Sequence, residues 1–97
     1  DEMLPTQYAL HQNSPNPFNP RTTIMYDLVS NADVSIQIYD ILGRKVKHLL
    51  DEKQGPGSLS VAWDGRDDSK NPVESGIYLL RFRAGSHVTS SKMILMK

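Results

Sequence analysis

The sequence contains no cysteine. Without a thiol there is no disulfide framework, no thiolate metal site and no cysteine nucleophile. The 97 residues also lack any run of about 18 apolar residues of the kind that spans a membrane. The first residues, Asp1 to Pro5, contain no basic region followed by an apolar segment. Any export signal would therefore lie on a longer precursor, or the protein is not exported.

The sequence has no excess of charge of either sign, because 11 Lys and Arg balance 11 Asp and Glu. No basic block stands out, so we expect no nucleic-acid partner, which would require a surface that neutralises phosphates. The length suits one small domain with a single core.

The first residues are polar and are interrupted by Pro5, as is typical of a linker. We therefore expect residues 1–7 to be the end of a linker and residues 8–97 to form the folded domain.

Three prolines, Pro15, Pro17 and Pro20, fall within six residues. Each fixes its own backbone and pushes the preceding residue toward an extended conformation, which predicts a stiff, ordered turn. We expect Phe18 to hold this turn against the core. The alternative is a proline-rich ligand for an aromatic groove on a partner.

Alternation of apolar and polar residues predicts six or seven short strands, and no amphipathic pattern is long enough for a helix of more than two turns. The fold class that this favours is all-β: an immunoglobulin-like or fibronectin III-like antiparallel β-sandwich of about seven strands. A small barrel is the alternative. Residues 22–28 and 33–39 are predicted to form two antiparallel strands. Residues 45–50 resume the alternation after Gly43, with a helical turn through Leu49 as the alternative.

An acidic loop contains Asp64, Asp67 and Asp68, which have enough oxygen ligands to raise a calcium hypothesis. Its spacing differs from that of an EF-hand, and Arg66 and Lys70 would place cations inside the site. The favoured interpretation is that these carboxylates bond backbone amides and shape a turn, so we expect no cofactor and no metal.

The sequence shows no clear grouping of catalytic residues, and we expect this chain not to be an enzyme. The three histidines lie far apart in sequence, and no Gly-x-Ser-x-Gly motif is present. Trp63 ends an alternating strand and is interpreted as a core residue, with a platform for carbohydrate as the alternative.

Five segments occur together in one order. They are Asn-Pro-Phe-Asn-Pro at residues 16–20, Ile-Tyr-Asp-Ile-Leu-Gly-Arg-Lys-Val at 38–46, Val-Ala-Trp-Asp-Gly-Arg-Asp at 61–67, the Pro-x-x-x-Gly-x-Tyr stretch at 72–82, and Lys-Met-Ile-Leu-Met-Lys at 92–97. Together they resemble the type A C-terminal sorting domain of proteins secreted by the type IX (Por) secretion system. They are also similar to the immunoglobulin-like domain of flagellar hook-capping proteins, which share the Trp-Asp-Gly and Gly-x-Tyr segments.

This resemblance implies a sorting domain at the C-terminus of a larger passenger protein. An outer-membrane translocon in Bacteroidetes-like bacteria would recognise it, and a sortase-like peptidase removes some such domains. The product would be secreted or held at the cell surface after passing through the periplasm. Alternatives are a carbohydrate-binding or structural linker module of a secreted hydrolase, or a hook-capping-like assembly domain.

The residues that match the sorting motif are Pro72, Gly76, Tyr78, Gly85 and Lys97. Lys92 joins Lys97 as a candidate contact, although lysine also protects edge strands from aggregation. Leu79 and Leu80 replace the Val-Val that often follows the tyrosine in the family. Deletion of the last five residues is expected to block export while lowering stability only modestly.

Overall fold

The structure is a computed structural model, and it describes residues 5–97. The linker expected over residues 1–7 therefore lies partly outside the described residues. Within them the secondary structure consists of strands, and no helix capable of crossing a membrane occurs there. The strands are β1 (Ala9–Leu10), β2 (Thr22–Leu28), β3 (Ala32–Asp40), β4 (Lys45–Gln54), β5 (Gly57–Trp63), β6 (Gly76–Ala84) and β7 (His87–Leu95).

The strands form two antiparallel sheets, a three-stranded sheet ordered β1-β2-β5 and a four-stranded sheet ordered β4-β3-β6-β7. Their apolar faces pack against each other, as expected for strands whose buried residues alternate with exposed ones. In β6, for example, Tyr78, Leu80 and Phe82 are buried while the residues between them are exposed. The predicted β-sandwich of seven strands is confirmed.

The strands predicted over residues 22–28 and 33–39 exist, but they are not hydrogen-bonded partners. β2 pairs with β1 and β5, whereas β3 pairs with β4 and β6. Both strands bury a full row of large apolar side chains. Placing them in opposite sheets lets those rows pack against each other across the core.

The segment after Gly43 is a strand and not a helical turn. β4 extends four residues beyond the predicted end at Leu50, because β3 offers it partners as far as the pair Ala32 and Gln54. Two irregularities in the β3–β4 register mark this edge of the four-stranded sheet. Gly43, in the turn before β4, has φ 83°, a positive backbone angle that glycine adopts readily.

Three aromatic rings form the heart of the core. Trp63, from the end of β5, lies between Phe18 and Tyr78, with ring centroids 5.6 Å from each. Burial of such a ring removes roughly 150–250 Å² from water, which stabilises the fold by about 4–6 kcal/mol before entropy costs. The remaining buried apolar residues are Ile24, Tyr26, Leu28, Val34, Ile36, Ile38, Leu80, Phe82, Ala84, Met93 and Leu95.

Hydrogen bonds attach the proline-rich turn to the end of β7, as expected for a stiff, ordered turn. The backbone N–H of Phe18 donates to the carbonyl of Ile94, and the N–H of Met96 donates to the carbonyl of Phe18, both at 2.9 Å. The side-chain oxygen of Asn16 accepts from the N–H of Ile94 at 2.9 Å. This turn therefore covers the outer edge of β7 where the strand ends, and Phe18 is buried as expected.

Met93 and Leu95 are fully buried, which overturns one expectation from the sequence. Deletion of the last five residues would remove both side chains and the β7 partners of Gly76 and Tyr78. The stability cost would be severe, because each large-to-small change in a core already costs roughly 2–5 kcal/mol.

Gly65 lies where the loop after β5 touches the proline-rich turn. Its φ is 76°, and a Cβ built on it would lie 2.9 Å from the carbonyl oxygen of Pro20. Gly43 has a similar φ of 83° with open space around its Cβ position. Substituting each glycine by alanine therefore separates the stability lost to the positive backbone angle from the stability lost to the close contact with Pro20.

We predict that Gly43→Ala lowers the free energy of unfolding by about 1–2 kcal/mol, the cost of the left-handed backbone alone. Gly65→Ala should lower it by roughly 1–3 kcal/mol more, because the new methyl group also meets fixed backbone. Urea denaturation of the two variants measures both values. Equal losses would contradict the contact between Gly65 and Pro20.

Candidate recognition site

Tyr78 is a folding residue at the start of β6. Its side chain is 7% exposed, and its hydroxyl donates a 2.6 Å hydrogen bond to the backbone carbonyl of Glu74. A tyrosine that bonds the backbone a few residues upstream, at the corner leading into this strand, is a recurrent feature of immunoglobulin-like sandwiches. Burial raises the pKa of Tyr78 above its ordinary value, with smaller contributions from the charges of Glu74 and Asp40.

The other residues of the predicted motif shape the same corner or the hairpin. Pro72 is exposed and forms an isolated antiparallel bridge with Arg66. Gly76 begins β6 opposite Leu95. Gly85, with φ 59°, is the first of two residues joining β6 to β7, where a type II′ hairpin requires glycine.

The two candidate lysines lie on β7 and just beyond it, and both are exposed. Lys92 lies opposite Leu79, on the outer edge strand of the four-stranded sheet. Its carbonyl accepts a 3.1 Å hydrogen bond from the side chain of Gln12. The backbone N–H of Lys97 donates to the hydroxyl of Ser75 at 2.9 Å.

The structure brings only some of these residues together. Ser75, Gly76 and Lys97 meet at the end of the sandwich where β6 begins and β7 ends, which we call the Lys97 end. Gly85 lies at the opposite end of the β6–β7 hairpin. Nine residues of β6 separate the two ends, a span of about 30 Å. The motif is therefore not one contiguous surface.

A feature that the sequence analysis did not single out also lies at the Lys97 end. The β3–β4 turn exposes Ile41 and Leu42, which are 69% and 72% exposed and are the most exposed large apolar residues of the described chain. With Ile77 they border a depression of about 360 Å³ that also includes Glu74 and Ser75. The sequence signal was two large apolar residues in a tight turn, a position that ordinarily carries polar residues.

Asp40 fixes the backbone of this turn. Its carboxylate accepts hydrogen bonds from the backbone N–H groups of Leu42 and Arg44 at 2.9 and 3.0 Å. Its other oxygen accepts from Arg44 Nε at 2.8 Å. The hydrogen bond from the Arg44 backbone is the main reason that the pKa of Asp40 lies below its usual value. Ile41 and Leu42 are thus held in a defined, solvent-facing arrangement.

The acidic loop uses its carboxylates to shape turns. Asp64 accepts from the backbone N–H of Arg66, and Asp67 accepts from those of Ser69 and Asn71. Asp68 reaches across to the backbone N–H of His48 on β4. Within residues 5–97 no three acidic or histidine side chains are grouped as a metal site would need.

One polar cluster contains the three residue types of a catalytic triad in the wrong order. Asp27 accepts from the Ser58 hydroxyl at 2.9 Å, and its other oxygen lies 2.9 Å from His11 Nε2. Nucleophilic catalysis requires the imidazole between the hydroxyl and the carboxylate, so that it can take the hydroxyl proton. Here the carboxylate is in the middle, and all three groups are at the surface.

Trp63 is fully buried, and its Nε1–H donates to the carbonyl of Arg66 at 2.9 Å. The interpretation as a core residue is confirmed. Neither ring face is available to stack on a sugar.

Comparison with known families decides the classification. The model of the FlgD Ig-like domain matches residues 19–87. The chain belongs to the FlgD Ig-like domain family. No curated protein sequence matches the chain.

Two solved structures contain a domain of the same fold as this FlgD Ig-like domain. The structure of dimeric latent PorU from Porphyromonas gingivalis matches 94% of the chain with 23% identity and a TM-score of 0.72. The structure of PorZ from the same species, described as an essential surface component of the type-IX secretion system, matches 93% with 21% identity and a TM-score of 0.59. The chain spans only 10% and 11% of their lengths.

We predict that stability falls as the pH rises above 10. Burial raises the pKa of Tyr26 and of Tyr78 above the ordinary 10.0. The unfolded chain therefore loses these protons first, and proton loss above pH 10 favours unfolding. Urea denaturation at pH 9 and pH 11 should show a smaller drop for the Tyr26→Phe/Tyr78→Phe variant than for the wild type. An equal drop in the variant and in the wild type would show that the buried hydroxyls do not cause the loss of stability at high pH.

We also predict that calcium does not stabilise the domain, because the carboxylates of the acidic loop already serve backbone amides. Calorimetric titration with calcium at millimolar concentration should give no binding heat, and Tm should not change. A rise in Tm that Asp67→Asn abolishes would show that the loop binds the ion.

Proposed function

We propose that this FlgD Ig-like domain is a C-terminal sorting domain of the type IX secretion system. It directs a covalently linked upstream passenger through an outer-membrane translocon to the cell surface or the medium. In this proposal residues 1–7 are the end of the linker and residues 8–97 are the sorting domain. The domain works by protein recognition and has no chemistry of its own.

The observation that carries the proposal is the exposed apolar turn at the Lys97 end. The fold gains little from Ile41 and Leu42, since both side chains are largely in water. A rigid display of large apolar side chains beside charged groups is typical of protein interaction sites. Lys97 and Ser75 lie at the same end, so the last residue of the motif and the apolar turn can contact one partner.

The comparisons support the proposal in two ways. Each neighbour carries this fold as about a tenth of its length, as expected for a domain attached to a larger protein. PorZ is described as a component of the type-IX secretion system, which is the system that the sequence motifs suggested.

The motif residues then divide into two groups. Pro72, Gly76, Tyr78 and Gly85 build the corner and the hairpin, whereas Lys92 and Lys97 remain free to contact the translocon. Lys92 has a second possible role, because β7 is an edge strand and a lysine there discourages pairing with another chain. A sortase-like peptidase would act in the linker before Tyr8.

A second candidate is a structural domain in a surface or flagellar assembly. The family match favours it, because that family is defined on the immunoglobulin-like domain of FlgD. The two candidates differ in export, since only a sorting domain moves a passenger out of the periplasm.

The test is a fusion of residues 4–97 behind a signal peptide and a reporter, expressed in a host with a type IX system. We predict that the wild-type fusion reaches the surface or the medium. The Ile41→Ser/Leu42→Ser variant should export about tenfold less or worse, because truncating interface hot spots costs roughly 2 kcal/mol or more in binding. Its free energy of unfolding should change little, since both side chains are exposed.

The matched control is Met25→Ser/Val88→Ser, which removes two exposed apolar side chains away from the Lys97 end. It should export like the wild type. Retention of the folded wild-type fusion in the periplasm would exclude sorting and leave the assembly role. Equal loss of export in both double variants would show that the apolar turn at the Lys97 end is not specifically recognised during export.

A further inference from the structure

A small polar depression lies on the outer face of the four-stranded sheet, away from the Lys97 end. Its volume is about 140 Å³, and four side chains line it: Ser35 and Gln37 from β3, and Arg81 and Arg83 from β6. Since a water molecule occupies roughly 30 Å³, the space suits a few waters or one small oxyanion.

The strand register explains why these four residues meet. Arg81 lies opposite Gln37, and Arg83 lies opposite Ser35. Residues two apart on a strand share a face and are about 7 Å apart, and directly opposed residues are about 5 Å apart. The four side chains therefore form a compact rectangle on one face of the sheet.

The two arginines carry uncompensated charge. Within residues 5–97 neither guanidinium makes an ion pair or a side-chain hydrogen bond. Two carboxylates occupy positions on this face: Asp33, two residues before Ser35 on β3, and Asp51, opposite Ser35 on β4. Neither lines the depression, and Asp51 faces His48 with a nitrogen to oxygen distance of 3.6 Å.

Tyr39 fixes one end of the Gln37 amide. The Tyr39 hydroxyl donates to Gln37 Oε1 at 2.5 Å, which occupies the amide oxygen. The amide nitrogen is left to make a long contact of 3.4 Å with the Ser35 hydroxyl. Gln37 can therefore offer an N–H group to a bound anion, beside the two guanidinium groups and the hydroxyl.

We propose that Ser35, Gln37, Arg81 and Arg83 form a binding site for a single oxyanion, a phosphate or a carboxylate group carried by a partner molecule. Planar guanidinium groups bind both anions with two parallel hydrogen bonds, and the hydroxyl and amide add further donors. The site does not depend on the sorting function, because it lies on a different face from Ile41 and Leu42.

The experiment is NMR titration of the 97-residue protein with sodium phosphate and, separately, with sodium acetate. Sodium chloride keeps the ionic strength constant. We expect saturable shifts of the Arg81 and Arg83 Nε–H signals and of the Gln37 side-chain amide, with a dissociation constant in roughly the millimolar range. The anion that saturates at lower concentration identifies whether the group is a phosphate or a carboxylate.

Arg81→Gln/Arg83→Gln should abolish saturation while the backbone spectrum stays that of a folded protein. Lys92→Gln is the matched control, because it removes a cation from the same sheet outside the depression, and it should bind like the wild type. Asp51→Asn should tighten binding by roughly twofold, because a nearby negative charge is removed. Non-saturating shifts with both anions, or equal saturation in the double arginine variant, would overturn the proposal.

Discussion

The fold depends on the contact that Trp63 makes with Phe18 on one side and Tyr78 on the other. These rings come from β5, from the proline-rich turn and from β6, so one contact joins both sheets to the loop between β1 and β2. The polar atoms of Trp63 and Tyr78 also form hydrogen bonds with the loop between β5 and β6. Trp63 donates to the carbonyl of Arg66, and Tyr78 donates to that of Glu74. The Trp-Asp-Gly and Gly-x-Tyr segments of this chain are therefore largely requirements of folding.

Because the motif is used inside the molecule, function has to be sought on what remains exposed. Two surfaces stand out, and they are chemically different. The Lys97 end presents Ile41 and Leu42 on a turn that Asp40 holds in place. The outer face of the four-stranded sheet presents Arg81 and Arg83 with no paired carboxylate among the described residues. The first suits an apolar protein contact and the second suits an anion.

Alternation was enough to predict a sandwich of about seven strands, because the side chains of a half-buried strand point alternately into the core and into water. Phe18 was predictable as a core residue, since a stiff turn needs an apolar anchor. Pairing of β2 with β3 was wrong because adjacency along the chain does not say in which sheet a strand lies. The arginine pair was missed because it depends on the β3–β6 register, which places Gln37 opposite Arg81 and Ser35 opposite Arg83, residues far apart in sequence. The exposed turn was missed although its signal was local, because two large apolar residues in a tight turn are not part of the alternation that predicts strands.

The most direct test compares two variants of similar stability, Tyr78→Phe and Ile36→Val. Loss of the buried hydrogen bond costs about 1 kcal/mol, and loss of one buried methylene group costs roughly 0.5–1.5 kcal/mol. Export of a reporter in a type IX host is measured beside the free energy of unfolding of each domain. If Tyr78 serves folding alone, the two variants export equally at equal stability. If Tyr78→Phe loses export that Ile36→Val retains, the hydroxyl is itself recognised and the account is contradicted.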